Sequence, residues 1–172
     1  MTYQIISTFD GSTETCSLSE LSQKLKLNCI LAELNADNTI IDSWLLVHET
    51  LVTFAVEFAD YSLKRYAKKK IPEAEACITL TKQWLKNSDS VSAEELKVAA
   101  DAAADAATAT ADAAAAYAAY AATAYAAYTA AYAATAAYAA YTARDAAGKS
   151  REAEYVRQGG FIVEYLKNSS SK

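Results

Sequence analysis

Four carboxylates come closest to a chemical constellation. On a helical ruler of about 100° per residue, Glu94, Asp101, Asp105 and Asp112 fall within about 40° of one another. Asp101 and Asp105 are neighbours on a helix, so they are weighed as paired carboxylates for acid–base work. Acid–base work also needs a bulky apolar surround to move one pKa towards neutrality. Here the surround is mostly alanine, so the four read as a solvated acidic stripe. His48-Glu49 opens like a zinc-protease motif, but Val52 stands where the second histidine belongs. His48 is the single histidine of the chain, which excludes a histidine cluster. Gly148-Lys149-Ser150 resembles the end of a phosphate-binding loop. That loop needs glycine where Ala143 stands, and a strand where this chain has helical sequence. Gly148 reads better as a helix C-cap. Cys16, Cys29 and Cys77 match no metal or redox spacing, and their odd number suggests reduced thiols. No catalytic, cofactor-binding or metal-binding residue is assigned, and a non-enzymatic role is expected.

These residues must be carried by elements that the composition constrains. The chain has 172 residues with one proline and four glycines. Sandwiches and barrels need frequent turns, whereas helical bundles need few, so a mostly α fold is expected. The net charge of −5 argues against nucleic acid and suits a basic protein partner. The N-terminus has neither a basic nor an apolar leader region, so a cytoplasmic location is expected. The run between Asp112 and Arg144 carries no charge, yet it holds no Leu, Ile, Val or Phe. Its tyrosines are spread along it rather than gathered at two interfaces, so a membrane span is not expected.

Along the chain, Thr2 to Phe9 is β-like and ends at a turn signal, Asp10-Gly11. The segment Asn28 to Leu34 could pair with it. Ser17 and Glu20 have capping-box spacing and start a short helix over Leu18 to Lys26. After the loop at Asn35 to Asn38, Ile41, Trp44, Leu45, Leu51, Phe54 and Phe58 recur at helical spacing, predicting one long helix to about Lys69 with His48 in its middle. Pro72 opens the next helix, which carries Cys77, Leu80, Trp84 and Leu85. After a loop over Asn87 to Ser90, Ser92 and Glu95 form a second capping box.

The Ala-rich region follows. From Ala99 to Ala147 nearly everything that is not alanine is tyrosine, threonine or aspartate. Alanine is the best helix former, so this stretch predicts helix. Continuous helix would be about 80 Å long, too long for the domain, so a break near Ala113 to Tyr117 is expected. The first half has the acidic stripe and can be approached closely by neighbours. The bulk is expected from Trp44, Phe54, Phe58 and Trp84. In the second half Tyr117, Tyr120, Tyr125, Tyr128, Tyr132, Tyr138 and Tyr141 cover about half of the helix circumference. That is broader than a core seam, and amphipathic rings suit a binding surface. The threonines scatter round the helix, which argues against an ice-binding face, and no heptad persists for a coiled coil. Gly159-Gly160 predicts a kink or interruption in the last amphipathic segment.

From Phe58 onward the order of features resembles the Imm5-like family of bacterial immunity proteins from polymorphic-toxin systems. The matching pieces are Phe58-Ala59, then Tyr66-Ala67-Lys68-Lys69-Lys70-Ile71-Pro72, then Trp84-Leu85, a polar loop and an Ala-rich tract with interleaved tyrosines. The family carries Arg and His in that tract, where this chain has Tyr and Thr. It has an Arg-Pro element where this chain reads Glu73-Ala74-Glu75-Ala76. The resemblance implies an all-helical cytoplasmic protein that binds and blocks a cognate toxin, and it identifies no binding residue.

The resulting expectation is a mostly all-α fold, a bundle of five or six helices with a short N-terminal extended segment. One helical domain spans 1–168: an arm and short helix over 1–35, two amphipathic helices over 38–87, the Ala/Tyr-rich helices over 92–147 and a C-terminal helix over 150–167. Residues 169–172 form a disordered tail. The expected function is protein binding without catalysis, as an immunity protein neutralising a toxin. The alternatives are a phage or mobile-element inhibitor of a host defence complex, or a structural oligomerisation module. No cofactor, nucleic acid or membrane is expected, and a homo-oligomer is compatible with the sequence. The candidate partner-binding residues are the four carboxylates and the seven tyrosines named above.

Overall fold

The computed structural model describes residues 1–25, 27–66, 70–110 and 150–170. The chain opens with a β-hairpin, β1 (Thr2–Ser7) and β2 (Thr13–Ser17). Gly11 turns it at a φ of 70°, a left-handed position that glycine adopts without a Cβ clash. The short helix α1 (Leu18–Lys24) follows at once. Two further strands come next, β3 (Cys29–Leu34) and β4 (Ile40–Leu46). Four helices complete the described residues: α2 (His48–Tyr66), α3 (Pro72–Lys86), α4 (Ala93–Thr110) and α5 (Ser150–Ser170).

The four strands form one antiparallel sheet in the order β2-β1-β3-β4. The expectation of an all-α bundle is therefore overturned: the fold mixes an antiparallel sheet with helices. The segment over Asn28 to Leu34 does pair with the N-terminal strand, as β3 with β1. The larger correction is at Ile40–Leu46, which is strand and not the start of a long helix. Trp44 and Leu46 point into the core, while Ile41 and Leu45 on the other face are exposed. Apolar residues on both faces erase the alternation that marks a strand. The sequence also hides its turns. Asn28 and Asn38 take the left-handed positions, with φ of 55° and 64°, so a count of Gly and Pro underestimates the bends.

Local signals at helix starts fare better. Ser17 N–H and Oγ both donate to Glu20 Oε2, at 2.9 and 2.7 Å, where α1 begins. Pro72 occupies the first turn of α3, where its missing N–H costs nothing. At the start of α4, Ser92 N–H donates to Glu95 Oε2 at 2.8 Å and Glu95 N–H donates back to Ser92 Oγ at 3.2 Å.

The core has two compartments with α2 between them. On one side Leu51, Phe54 and Phe58 of α2 pack with the inner sheet face (Tyr3, Ile5, Leu31, Trp44), with Leu21 of α1 and with Ile162 of α5. On the other side Val52, Ala55, Val56 and Ala59 pack against α3 and against Leu96, Ala100 and Ala103 of α4. Of the bulky residues expected beside the Ala-rich helix, Trp84 packs there. Trp44, Phe54 and Phe58 belong instead to the sheet-side compartment.

Helix α5 is continuous through Gly159-Gly160, so the expected interruption does not occur there. It also runs to Ser170, so Asn168 to Ser170 are helical. The expected break near Ala113 to Tyr117 and the C-cap at Gly148 lie outside the described residues.

Candidate functional site: the outer face of helix α4

Helix α4 buries Leu96, Ala100 and Ala103 against the α2–α3 compartment. Its other face is solvent-exposed and carries Glu94, Asp101 and Asp105. The three carboxylates form no ion pair among the described residues. Val98 lies between them at 59% exposure, and Lys97 is exposed beside it. The helical ruler thus places these three side chains correctly on one open face. Asp112 and the seven tyrosines lie outside the described residues.

The stripe differs from Glu95, which is occupied at the helix start. The Ser92 backbone and hydroxyl hydrogen bonds hold the Glu95 carboxyl below its ordinary value. Small side chains let α4 lie close to α3, so the stripe sits on a firm base and not on a loop.

Four polar constellations escaped the sequence reading. At the α2–α5 junction the Arg157 guanidinium holds Glu154 with two bonds, Nε to Oε2 at 2.9 Å and Nη2 to Oε1 at 2.6 Å. Its other side covers the Tyr61 ring, 3.6 Å from the centroid, and Gln158 Nε2 donates to Glu154 Oε1 at 3.1 Å. The spacing of Glu154, Arg157 and Gln158 was a readable helix-pair signal. Under the sheet, Lys167 Nζ lies 2.7 Å from the buried Glu33 carboxylate. Between α2 and α3, Lys82 Nζ bridges Asp60 and Glu57 at 2.6 and 2.9 Å. That ion network borders a shallow cleft of about 320 Å³. At the start of α2, His48 meets Trp84 edge-on, with ring centroids 6.4 Å apart. His48 is therefore a helix-opening residue, not a mid-helix one. Each of these sets joins side chains to one another across or along packed elements, and none brings a nucleophile to a base.

The cysteines are buried thiols. Burial pushes Cys16 up to about 11, and Cys77 up to about 12. Thiols shifted that way are poor nucleophiles at neutral pH. Among the described residues no group of His, Cys, Asp and Glu gathers to hold a metal ion. Among the same residues no helix is long and apolar enough to cross a membrane.

Comparison with family models, curated proteins and solved structures finds no match to the chain.

Proposed function

We propose that this chain is a non-enzymatic binding protein, a cytoplasmic immunity protein that occludes a basic toxin domain through the outer face of α4. The observation that carries the reading is the exposure of Glu94, Asp101 and Asp105 on one packed helix, with no cation among the described residues paired to them. Such a field raises the encounter rate with a basic partner and sets its orientation. The net charge of −5 acts in the same direction. The toxin as partner comes from the sequence resemblance of the stretch after Phe58; the all-helical fold that this resemblance implied does not hold for the chain, whose first strands build a sheet.

The test begins with a pull-down from the source organism using the full chain. A toxin domain should be recovered, and co-expression of the chain should relieve that domain's toxicity. Charge reversal at Asp101 and Asp105 together should then weaken the complex at low salt. Screening over a Debye length of about 10 Å at 0.1 M should shrink the difference. Affinity untouched by the double reversal at low salt would overturn the acidic-stripe interface.

A further inference from the structure

Eight large apolar residues stand exposed among the described residues, and four of them crowd into one stretch of eight: Ile40, Ile41, Leu45 and Val47. That stretch is β4 and the residue after it. In the sheet order β2-β1-β3-β4 it pairs, among the described residues, with β3 on one side only. Edge strands are normally guarded against pairing by lysine, proline or inward charge. Ile40 to Val47 contains no Lys, Arg or Pro, and its single charge is Asp42. A cleft of about 290 Å³ follows this edge, between Ser43, Trp44 and Leu45 on one side and the last turns of α5 on the other. Trp44 is 5% exposed and lines that cleft, and its buried indole Nε1–H has no acceptor among the described residues. Such a donor costs free energy until an acceptor arrives.

We propose that β4 is a dimerisation edge, pairing antiparallel with β4 of a second copy about a two-fold axis at Ser43. The strand is self-complementary in that register. Residues facing one another across an antiparallel pair share a face of the sheet. Trp44 then stands opposite Asp42 of the second copy, twice by symmetry, on the inner face of the joined sheet. On the outer face Leu45 stands opposite Ile41 of the second copy, also twice. Ile6, Ile30 and Leu45 already form a row across β1, β3 and β4, and Ile41 of the second copy extends it. The bulge between Glu33 and Leu34 leaves Ile41 as the extra residue on β4, so regular pairing is centred on Asp42, Ser43 and Trp44. Ser43 N–H, which donates to Asp42 Oδ1 at 2.8 Å in the single chain, exchanges that partner for the facing strand. Two four-stranded sheets become one of eight strands.

The dimer is independent of the toxin reading, and salt separates the two. Copies that each carry −5 repel, so added salt should strengthen the dimer, whereas an acid–base complex with a basic partner weakens in salt. Light scattering on the full chain should give twice the chain mass at moderate salt. Leu45→Lys, at an exposed position, should raise the dissociation constant about tenfold or more with the far-UV circular dichroism unchanged. Ile41→Lys is the second variant and should do the same. Ser43→Cys should give a disulfide-linked dimer on mild oxidation, because the two-fold axis sets these residues opposite each other. A wild-type monomer at every concentration would overturn the proposal and leave the edge for a different partner. So would a dimer that both lysine variants leave intact. A dimer that Leu45→Lys dissociates, but in which Ser43→Cys chains never link, would overturn the register.

Discussion

A Cβ built on Gly159 would lie 2.1 Å from the carbonyl oxygen of Leu18. The backbones of α5 and α1 meet there, and the neighbour is main chain, which cannot swing aside. Gly160, one residue on, has nothing within 4 Å of its Cβ position.

The two glycines should therefore respond oppositely to the same change. Gly159→Ala should destabilise by about 2 kcal/mol or more, since the helices must separate. Gly160→Ala should stabilise by up to about 1 kcal/mol through helix propensity alone. Urea unfolding followed by circular dichroism measures both. Equal effects of the two substitutions would show that α5 does not approach α1 at Gly159.

The Glu33 side chain is 4% exposed, and Lys167 reaches it from α5. Lys167→Met should cost about 1–3 kcal/mol, because it strands a buried carboxylate. Adding Glu33→Gln should return part of that loss, as removing both charges is cheaper than removing one. A double-mutant cycle reads the coupling, and strictly additive single effects would deny the pair.

The Asp60–Lys82 bridge predicts a pH profile. Burial raises the Asp60 carboxyl, but hydrogen bonds and charge from Lys82 and Lys64 outweigh it and hold it below its ordinary value. Burial lowers Lys82, but Asp60 and Glu57 outweigh it and hold it above its ordinary value. The Asp60 contribution is present above about pH 4 and is lost as pH falls through the lowered pKa. The Lys82 contribution is present below about pH 10 and is lost as pH rises through the raised pKa. Lys82→Met should cost about 1 kcal/mol at neutral pH, a figure held down by solvent screening. It should also flatten both flanks of the stability curve. An unchanged curve in the variant would remove the bridge from the account.

The readable parts of this fold are those decided within a few residues. Ser17 with Glu20, Pro72, and Ser92 with Glu95 each mark a helix start through a local hydrogen bond or a fixed φ, and each helix begins there. The exposed faces of Glu94, Asp101 and Asp105 followed from the helical period alone. What the sequence concealed depends on distant partners. β2 is a polar stretch, Thr-Glu-Thr-Cys-Ser, that becomes strand because β1 lies beside it. β4 carries apolar residues on both faces and so also fits a helical period. Gly159 signals weak helix propensity in isolation, whereas its use is to admit the backbone of α1. The self-complementary edge at Ser43 becomes visible only once β4 is known to be the last strand of the sheet.

Helix α2 gives Leu51, Phe54 and Phe58 to one compartment and Val52, Ala55, Val56 and Ala59 to the other. The consequence is evolutionary. A substitution on this helix must be accepted by two sets of neighbours at once, so its rate of acceptable change is the product of two restrictions. The outer face of α4 answers to no neighbour among the described residues. Variation is therefore expected to accumulate on that face while α2 stands nearly still.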